Sequence, residues 1–429
     1  VADRIISEIT KAAVCCDVQC RPMLVGSCAR GTWLSGDYDL DIFLAVPPNR
    51  ELTSALLPAR MVAKVYEERY ASHPYIHAMI DGFEVDLVPC FDLQDAKNIE
   101  SAVDRSPFHN RYVAGRIAGH EDDVLLLKQF MKGVGVYGSE QRLGGFSGYL
   151  SELLVLQYGS FKGVLEAASC FHPGQVIDLE NHSSLSHSDP LVVVDPVDPK
   201  RNVAAALTID RLFQFSAASR CFLAAPDIDF FFPPESKPLE TSELLRLMKE
   251  RGTMFILVEF VAPDVVEDVL FPQLKKADAS ITALLSRHGF SVMRSDFEVS
   301  VDKKIAWLLF ELDVFRLPSV EKRVGPPAHA VAHLSRFLEG HKDRFSGPYL
   351  EGGRIVVEVK RMYEEPIALL LNEMSKIGLG KHLRGSMAPG LRLISGADIL
   401  QGASFELRHF LSAYLMRRIW ACDDDPATP

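Results

Sequence analysis

Residues 26–43 read GSCARGTWLSGDYDLDIF. The second half alternates acidic and apolar residues, which predicts a strand. Side chains two apart on a strand share a face, so Asp39 and Asp41 point one way while Leu40 and Ile42 turn into the core. Two adjacent carboxylates repel each other and are costly to desolvate unless cations sit between them. A divalent metal resolves this, and all-oxygen ligands suit Mg²⁺. Upstream, the Gly26-Ser27 turn lets backbone N–H groups approach a polyphosphate closely. Ser27 adds a hydroxyl and Arg30 a guanidinium for the same anion. A lone D-x-D is common on solvated strand edges, and a Gly-Ser turn is a weaker signal still. Their combination with a third acidic strand points to nucleotide chemistry. That strand is FEVDLVP, residues 83–89, where Glu84, Asp86 and Val88 share one face. Three carboxylates from two strands are what two-metal phosphoryl or nucleotidyl transfer needs. Spacing alone leaves Glu84 a rival to Asp86.

The pattern G-S-x-A-R-G-T-x-L, then D-x-D, then V-D-L-V-P resembles the polymerase-beta-type nucleotidyltransferase superfamily. Within it, four further stretches resemble the archaeal, class I CCA-adding enzymes: HPYIHAMIDGFEVDLVPC (73–90), KNIESAVDRSPFHNRYV (97–113), GGFSGYLSELL (144–154) and VVDPVDPKRNVAAAL (193–207). The resemblance runs from near residue 1 to beyond residue 400 and is strongest up to about residue 215. It implies template-independent addition of C, C and A to the 3′ end of tRNA from CTP and ATP, with Mg²⁺ held by Asp39, Asp41 and Asp86. It implies that Ser27, Arg30, Lys128 and Tyr137 bind the triphosphate and that His73 belongs to the nucleotide site. Ser106 and His109 would face the triphosphate or sugar. Asp198 and Arg201 would lie near the incoming base and the RNA end, contributing to the choice between CTP and ATP. The family sets the tRNA elbow against the C-terminal part and suggests a homodimer. One departure is Gly144, where the family often carries a basic residue.

At 429 residues the chain exceeds one ordinary core, and two to four domains are expected. Hydrophobic content of 48% with 24% charged residues describes a soluble globular protein. No apolar run reaches the length of a membrane span and no signal-peptide pattern opens the chain. The eight cysteines are scattered without a C-x-x-C, which predicts reduced thiols in a cytoplasm and neither a disulfide framework nor a zinc site. A net charge of −11 argues against indiscriminate polyanion binding, so any RNA-binding face must be local.

The expected architecture is an α+β multidomain protein. Residues 1–115 form a polymerase-beta-like nucleotidyltransferase head: a helix over 1–20, strands at 23–25 and around Asp39, a helix over 52–69 and a strand pair from His73. Residues 116–250 form a helical central domain, with Lys128 and Lys132 on one face of a helix beginning at Glu121 and another helix over 146–161. Residues 251–429 form the C-terminal region. There strand, helix, two strands, a helix over 328–337 and a strand over 355–362 match a ferredoxin-like split unit, followed by a helical tail over 366–420 and a frayed end. Arg287, Arg294, Lys303, Lys304, Lys342, Arg344, Lys381, Arg384 and Arg392 are candidates for a phosphate-tracking surface. Two other readings remain. One is another polymerase-beta-type transferase, such as a poly(A) polymerase or oligoadenylate synthetase, and the other is a catalytically idle RNA-binding protein.

Overall fold

The computed structural model describes the chain except for Tyr38, Ala71, Lys97, Asn98, Glu100, Ala102, Gln141, residues 183–187, Ser236, Lys303, Ala388, Pro389 and residues 418–429. Lys303 and the terminal tail therefore lie outside the described residues. The rest falls into two compact units, one ending at Pro234 and one running from Glu235 to Arg417.

The first unit opens with α1 (Ala2–Cys15), whose Ile5, Ile9, Ala12 and Ala13 recur at helical spacing and are buried. There follow β1 (Arg21–Leu24), the one-turn helix α2 (Gly26–Arg30), β2 (Asp39–Val46), α3 (Leu56–Val62), β3 (Tyr66–Tyr70), β4 (Pro74–Ile80) and β5 (Phe83–Phe91). The strands form one mixed sheet in the order β1-β2-β5-β4-β3, with β2 and β5 parallel and the other pairs antiparallel. Leu40, Ile42, Leu44 and Val46 of β2 pack with Val85 and Leu87 of β5 beneath α1 and α3. Each such fully buried side chain contributes about 1.5–3 kcal/mol. That core forces the alternate residues, Asp39 and Asp41, onto the opposite face.

The helix expected over 52–69 stops at Val62, and residues 66–70 are an edge strand paired with β4. The stretch YEERY carries aromatic residues that favour a strand, and its backbone groups find partners on β4 that a longer helix would leave unpaired. Beyond β5 come α4 (Ser106–Ala114), α5 (Glu121–Gly133), α6 (Gly148–Tyr158), α7 (Phe161–Ala168), the two-stranded β6 (Gln175–Ile177) and β7 (Leu191–Val193), and α8 (Ile209–Ala224). They enclose a core that includes Leu127, Phe130, Phe146, Leu153 and Phe215. The single helix expected over 146–161 is two. Gly159 ends α6 at φ +79°, and the Ser160 side chain caps α7 by accepting from the Gly163 N–H. Cys15, Cys16, Cys20, Cys28, Cys90 and Cys170 are free thiols, as the scattered spacing led one to expect.

The second unit contains α9 (Thr241–Glu250), β8 (Met254–Val261), α10 (Glu267–Arg287), β9 (Ser291–Val299), β10 (Ile305–Val314), β11 (Val320–Pro327), α11 (Val331–Glu339), β12 (Arg344–Glu351), β13 (Arg354–Lys360), α12 (Pro366–Glu373), α13 (Lys381–Met387), β14 (Arg392–Ser395) and α14 (Phe405–Leu415). Its main sheet has the order β14-β8-β10-β9, all antiparallel, which is the ferredoxin-like arrangement. The closing elements differ from those expected. Residues 328–337 and 355–362 belong mainly to a separate module, in which β11, β13 and β12 form their own three-stranded sheet beside α11. The strand that completes the main sheet is the four-residue β14, preceded by α12 and α13, whose Leu369 and Leu383 enter the sheet's core. The helical tail is thus interrupted by a strand. Helix α9, placed by sequence in the helical middle, buries Leu244 and Met248 against Phe255, Leu257, Trp307 and Leu411 of the second unit.

Several basic residues proposed for a phosphate-tracking surface have partners within this unit. Arg294 donates to the Tyr414 carbonyl and lies over its ring at 3.7 Å. Arg392 pairs with Glu259, and Arg384 donates to the Ile377 carbonyl.

Asp278 of α10 accepts from Ser295 Oγ (3.0 Å), while its other oxygen is buried with no hydrogen-bond partner. Burial and the nearby Asp296 outweigh that hydrogen bond and push its pKa up from 3.8 to about 6. The folded state therefore binds this proton more tightly than the unfolded chain, and stability falls as pH rises from about 3.8 to about 6. Asp278→Asn should raise stability by roughly 1–3 kcal/mol, a few degrees in Tm, at pH 7.5 and change it little at pH 4. Scanning calorimetry of both proteins at the two pH values checks this, and an equal gain at both would contradict it.

Candidate active site

The acidic face is built by register. Parallel pairing sets Asp41 opposite Asp86 and Asp39 opposite Glu84, while antiparallel pairing with β4 sets His77 opposite Asp86. His77 Nδ1 lies 2.7 Å from Asp86 Oδ1, a distance at which the ring N–H donates to the carboxylate. Glu84 stands further out, beside Asp39 and Met79. Asp41 is therefore nearer in register to Asp86 than to Glu84.

Asp41 carries the strongest perturbation on this face. Burial, then Asp86 and Asp39, push its pKa up to about 6 against the opposing charge of Arg30. Asp39 is also raised, by burial and by Glu84, Asp37 and Asp86. Mutual repulsion of this kind is what a cation relieves. Among the described residues, no group of three His, Cys, Asp or Glu side chains already stands at the spacing of a metal cage. The donors themselves, carboxylate oxygens held unwillingly close, fit a hard divalent ion.

Gly26 adopts φ +75°, and a Cβ there would lie 2.2 Å from Asp41 Oδ2. The carboxylate thus rests directly on the glycine's backbone, while the Val25 N–H donates to the Asp41 carbonyl (2.9 Å). A cavity of about 170 Å³ opens here, lined by Gly26, Arg30, Asp41, Ser106, His109 and Tyr149. Ser106 is the first residue of α4, and His109 stacks on Tyr149 with ring centroids 4.2 Å apart. Ser27 follows Gly26 in α2.

The remaining sequence candidates lie behind or beside this cavity. Lys128, expected on one helix face with Lys132 and assigned to the triphosphate by the resemblance, is buried and donates to the Thr32 carbonyl (2.7 Å). Burial and neighbouring Arg30 lower its pKa, with Glu152 opposing. The Tyr137 hydroxyl lies near it; both groups approach the place where a Cβ on Gly148 would be, at 3.1 and 3.4 Å. His73, just before β4, has its Nε2 buried without a hydrogen-bond partner and does not line the cavity. Asp198 accepts from Arg105 Nε (2.9 Å). Arg201 pairs with Asp195 (2.8 Å) and lines a second cavity of about 370 Å³ with Ser139, Ser147, Asp189 and Asn202. Gly144 has φ +61°, and a Cβ there would meet Thr208 Cγ2 at 2.7 Å. A basic side chain at that position has no room without moving Thr208.

Sequence reasoning passed over three residues that organise this region. Asp195 is buried, and His109 Nε2 lies 2.8 Å from its Oδ2, linking the cavity to the loop that carries Arg201. Burial alone would raise its pKa, but the His109 hydrogen bond and charge, the Val197 N–H and Arg201 hold it at about 2. Glu152 is a buried carboxylate in an otherwise apolar helix, a visible anomaly in GYLSELL. His77 alternates with buried Ile76 and Ala78, which puts it on the acidic face.

Comparison with known proteins covers all three parts of the chain. Residues 22–109 match the model described as "Nucleotidyltransferase domain", residues 122–232 "tRNA nucleotidyltransferase, second domain", and residues 251–396 "CCA-adding enzyme, C-terminal domain". The chain is 43% identical to a CCA-adding enzyme of Methanosarcina acetivorans over 426 residues, covering 97% of this chain and 93% of that one. It is 44% identical to that of Methanosarcina barkeri, covering 91% and 88%. To that of Methanothermobacter thermautotrophicus it is 43% identical, covering 93% and 89%.

Proposed function

The chain belongs to the family of CCA-adding enzymes, tRNA nucleotidyltransferases, and we propose that it builds the CCA end of tRNA from CTP and ATP, without a nucleic-acid template, releasing pyrophosphate. The observation that carries the site assignment is the register of Asp41 with Asp86 against the bare backbone of Gly26. Asp39, Asp41 and Asp86 are the residues that would hold divalent cations, which we take to be Mg²⁺. When bound, such ions lower the pKa of the attacking 3′-hydroxyl and neutralise charge on the α-phosphate.

The chain's own groups do the positioning. Arg30 and Ser27 hold the triphosphate at the α2 end of the cavity, and Ser106 and His109 form a further part of its wall. His77 orients the Asp86 carboxylate through its hydrogen bond. Asp195 fixes the His109 ring, and through Arg201 ties that wall to the loop assigned to base choice. Lys128 is 2% exposed, so for it and Tyr137 to touch the triphosphate the packing around α2 and α5 must loosen. His73 and Asp198 keep their nucleotide-site assignment on family membership. The C-terminal region takes the tRNA elbow, and a homodimer in the cytoplasm fits the family. No helix among the described residues is long and apolar enough to cross a membrane.

Purified protein incubated with tRNA lacking its CCA end and each of the four nucleotides singly tests this reading. CTP alone should extend the RNA by two residues, and ATP should add one only after them. Long adenylate tracts from ATP alone would favour a poly(A) polymerase instead.

A further inference from the structure

Between α2, α5 and α6 lies a buried charge cluster whose central member has no part in the chemistry assigned so far. Glu152 sits mid-helix in α6 among the buried residues Leu150, Leu153, Leu154 and Val155. Its side chain is 0% exposed, that of Arg30 7%. Arg30 Nε donates to Glu152 Oε1 at 3.0 Å, and Arg30 Nη2 lies 2.9 Å from Oε2, so one edge of the guanidinium is filled by the carboxylate. Arg30 Nη1 donates to Asn110 Oδ1 at 2.9 Å. Nε and Nη1 are therefore hydrogen-bonded and Nη2 is in ion-pair contact, although Oε2 itself accepts no hydrogen bond, and the two hydrogen bonds set the plane of the group. Thr32 Oγ1 also donates to Oε1, and Lys128 Nζ lies 3.9 Å from it.

A carboxylate in an apolar helix carries a heavy desolvation penalty, and a hydrophobic residue of similar volume would cement α6 to the head as well. What a hydrophobic residue could not do is orient a cation beside the cavity holding Asp41. Arg30 lines that cavity itself.

We infer that Glu152 is a positioning residue for polyphosphate: it fixes the plane of Arg30, so that this cation is aligned before the nucleotide arrives. The inference rests on the reading in which Arg30 binds the triphosphate. It gives α6, an element of the helical part, a direct hand in the affinity of the catalytic head for nucleotide.

The test is a double-mutant cycle on Arg30→Ala and Glu152→Gln, with steady-state constants for CTP and for tRNA lacking its CCA end, and the inhibition constant of pyrophosphate. Each single variant should raise the KM for CTP and the pyrophosphate inhibition constant about tenfold, with kcat changed less than threefold and the KM for tRNA unchanged. The double variant should be no worse than Arg30→Ala alone, because Glu152 acts through Arg30. Independent, multiplying losses overturn the inference. So does a fall in kcat with an unmoved KM for CTP, the signature of a residue that only holds the fold. Arg30→Ala leaving both CTP and pyrophosphate constants unchanged sinks the triphosphate reading itself, a distinguishable outcome that takes the inference with it. Should Glu152→Gln fail to fold, Glu152→Asp, which keeps the charge but withdraws it by one methylene, replaces it in the same cycle with the same expectations.

Discussion

Asp86→Asn is expected to abolish nucleotide incorporation while leaving CTP binding detectable. Asparagine keeps the size of the side chain and can still meet His77, so the sheet and its register are retained. What is lost is the charge that faces Asp41 across the parallel strands. Without it, a cation held in the proposed site would lack a carboxylate ligand, and the 3′-hydroxyl would lack the aid to deprotonation that such an ion supplies. A fall of at least about 10³-fold in kcat is expected, on the order of 4 kcal/mol of barrier. The groups proposed to bind the triphosphate on the α2 side are untouched, so equilibrium binding of CTP should weaken by much less. Single-turnover assays on tRNA lacking its CCA end, beside a binding titration, separate the two quantities. Normal CMP addition by this variant would refute the role given to Asp86.

Gly26→Ala should damage activity far more than stability. Two costs add at this position. An alanine at φ +75° is strained by about 1–2 kcal/mol. Its Cβ would also lie 2.2 Å from Asp41 Oδ2, so the carboxylate must move. Gly31 separates the two effects, because it has φ +72° but nothing nearer to its Cβ position than Glu121 Cγ at 3.8 Å. Gly31→Ala should therefore cost about 1–2 kcal/mol of stability and leave kcat within a few-fold of the parent. Gly26→Ala should lose at least that much stability and, beyond it, at least about 100-fold in kcat. Thermal melts and turnover of the two variants side by side check the pair, and equal activities would show that the contact between Gly26 and Asp41 is idle.

The acidic face was legible because strand alternation is a strict period of two. Once Leu40 and Ile42 are core, Asp39 and Asp41 have only one place to go. The choice between Glu84 and Asp86 was not legible, since it depends on the register of two strands some forty residues apart in sequence. Lys128 shows a signal that was present and overlooked. With Val124, Leu127 and Met131 it completes the i, i+3, i+4, i+7 stripe of α5, so it belongs to the buried face. In the second unit, the longer strand at 354–360 outweighed the four-residue β14 as the closing strand of the ferredoxin-like sheet. Nothing local says which sheet a strand joins. Asp195, Glu152 and His77 owe their importance to partners that only the tertiary fold supplies, although a lone glutamate in an apolar helix was a fair warning.

The central claim is that the carboxylates of β2 and β5 together hold divalent cations. Its most direct test is a calorimetric titration of Mg²⁺, in the presence of CTP, into the parent chain and into Asp41→Asn and Asp86→Asn. Cation binding by the parent that weakens at least about tenfold in each variant, with the fold intact by circular dichroism, is the predicted result. Equal cation binding by all three proteins would contradict it.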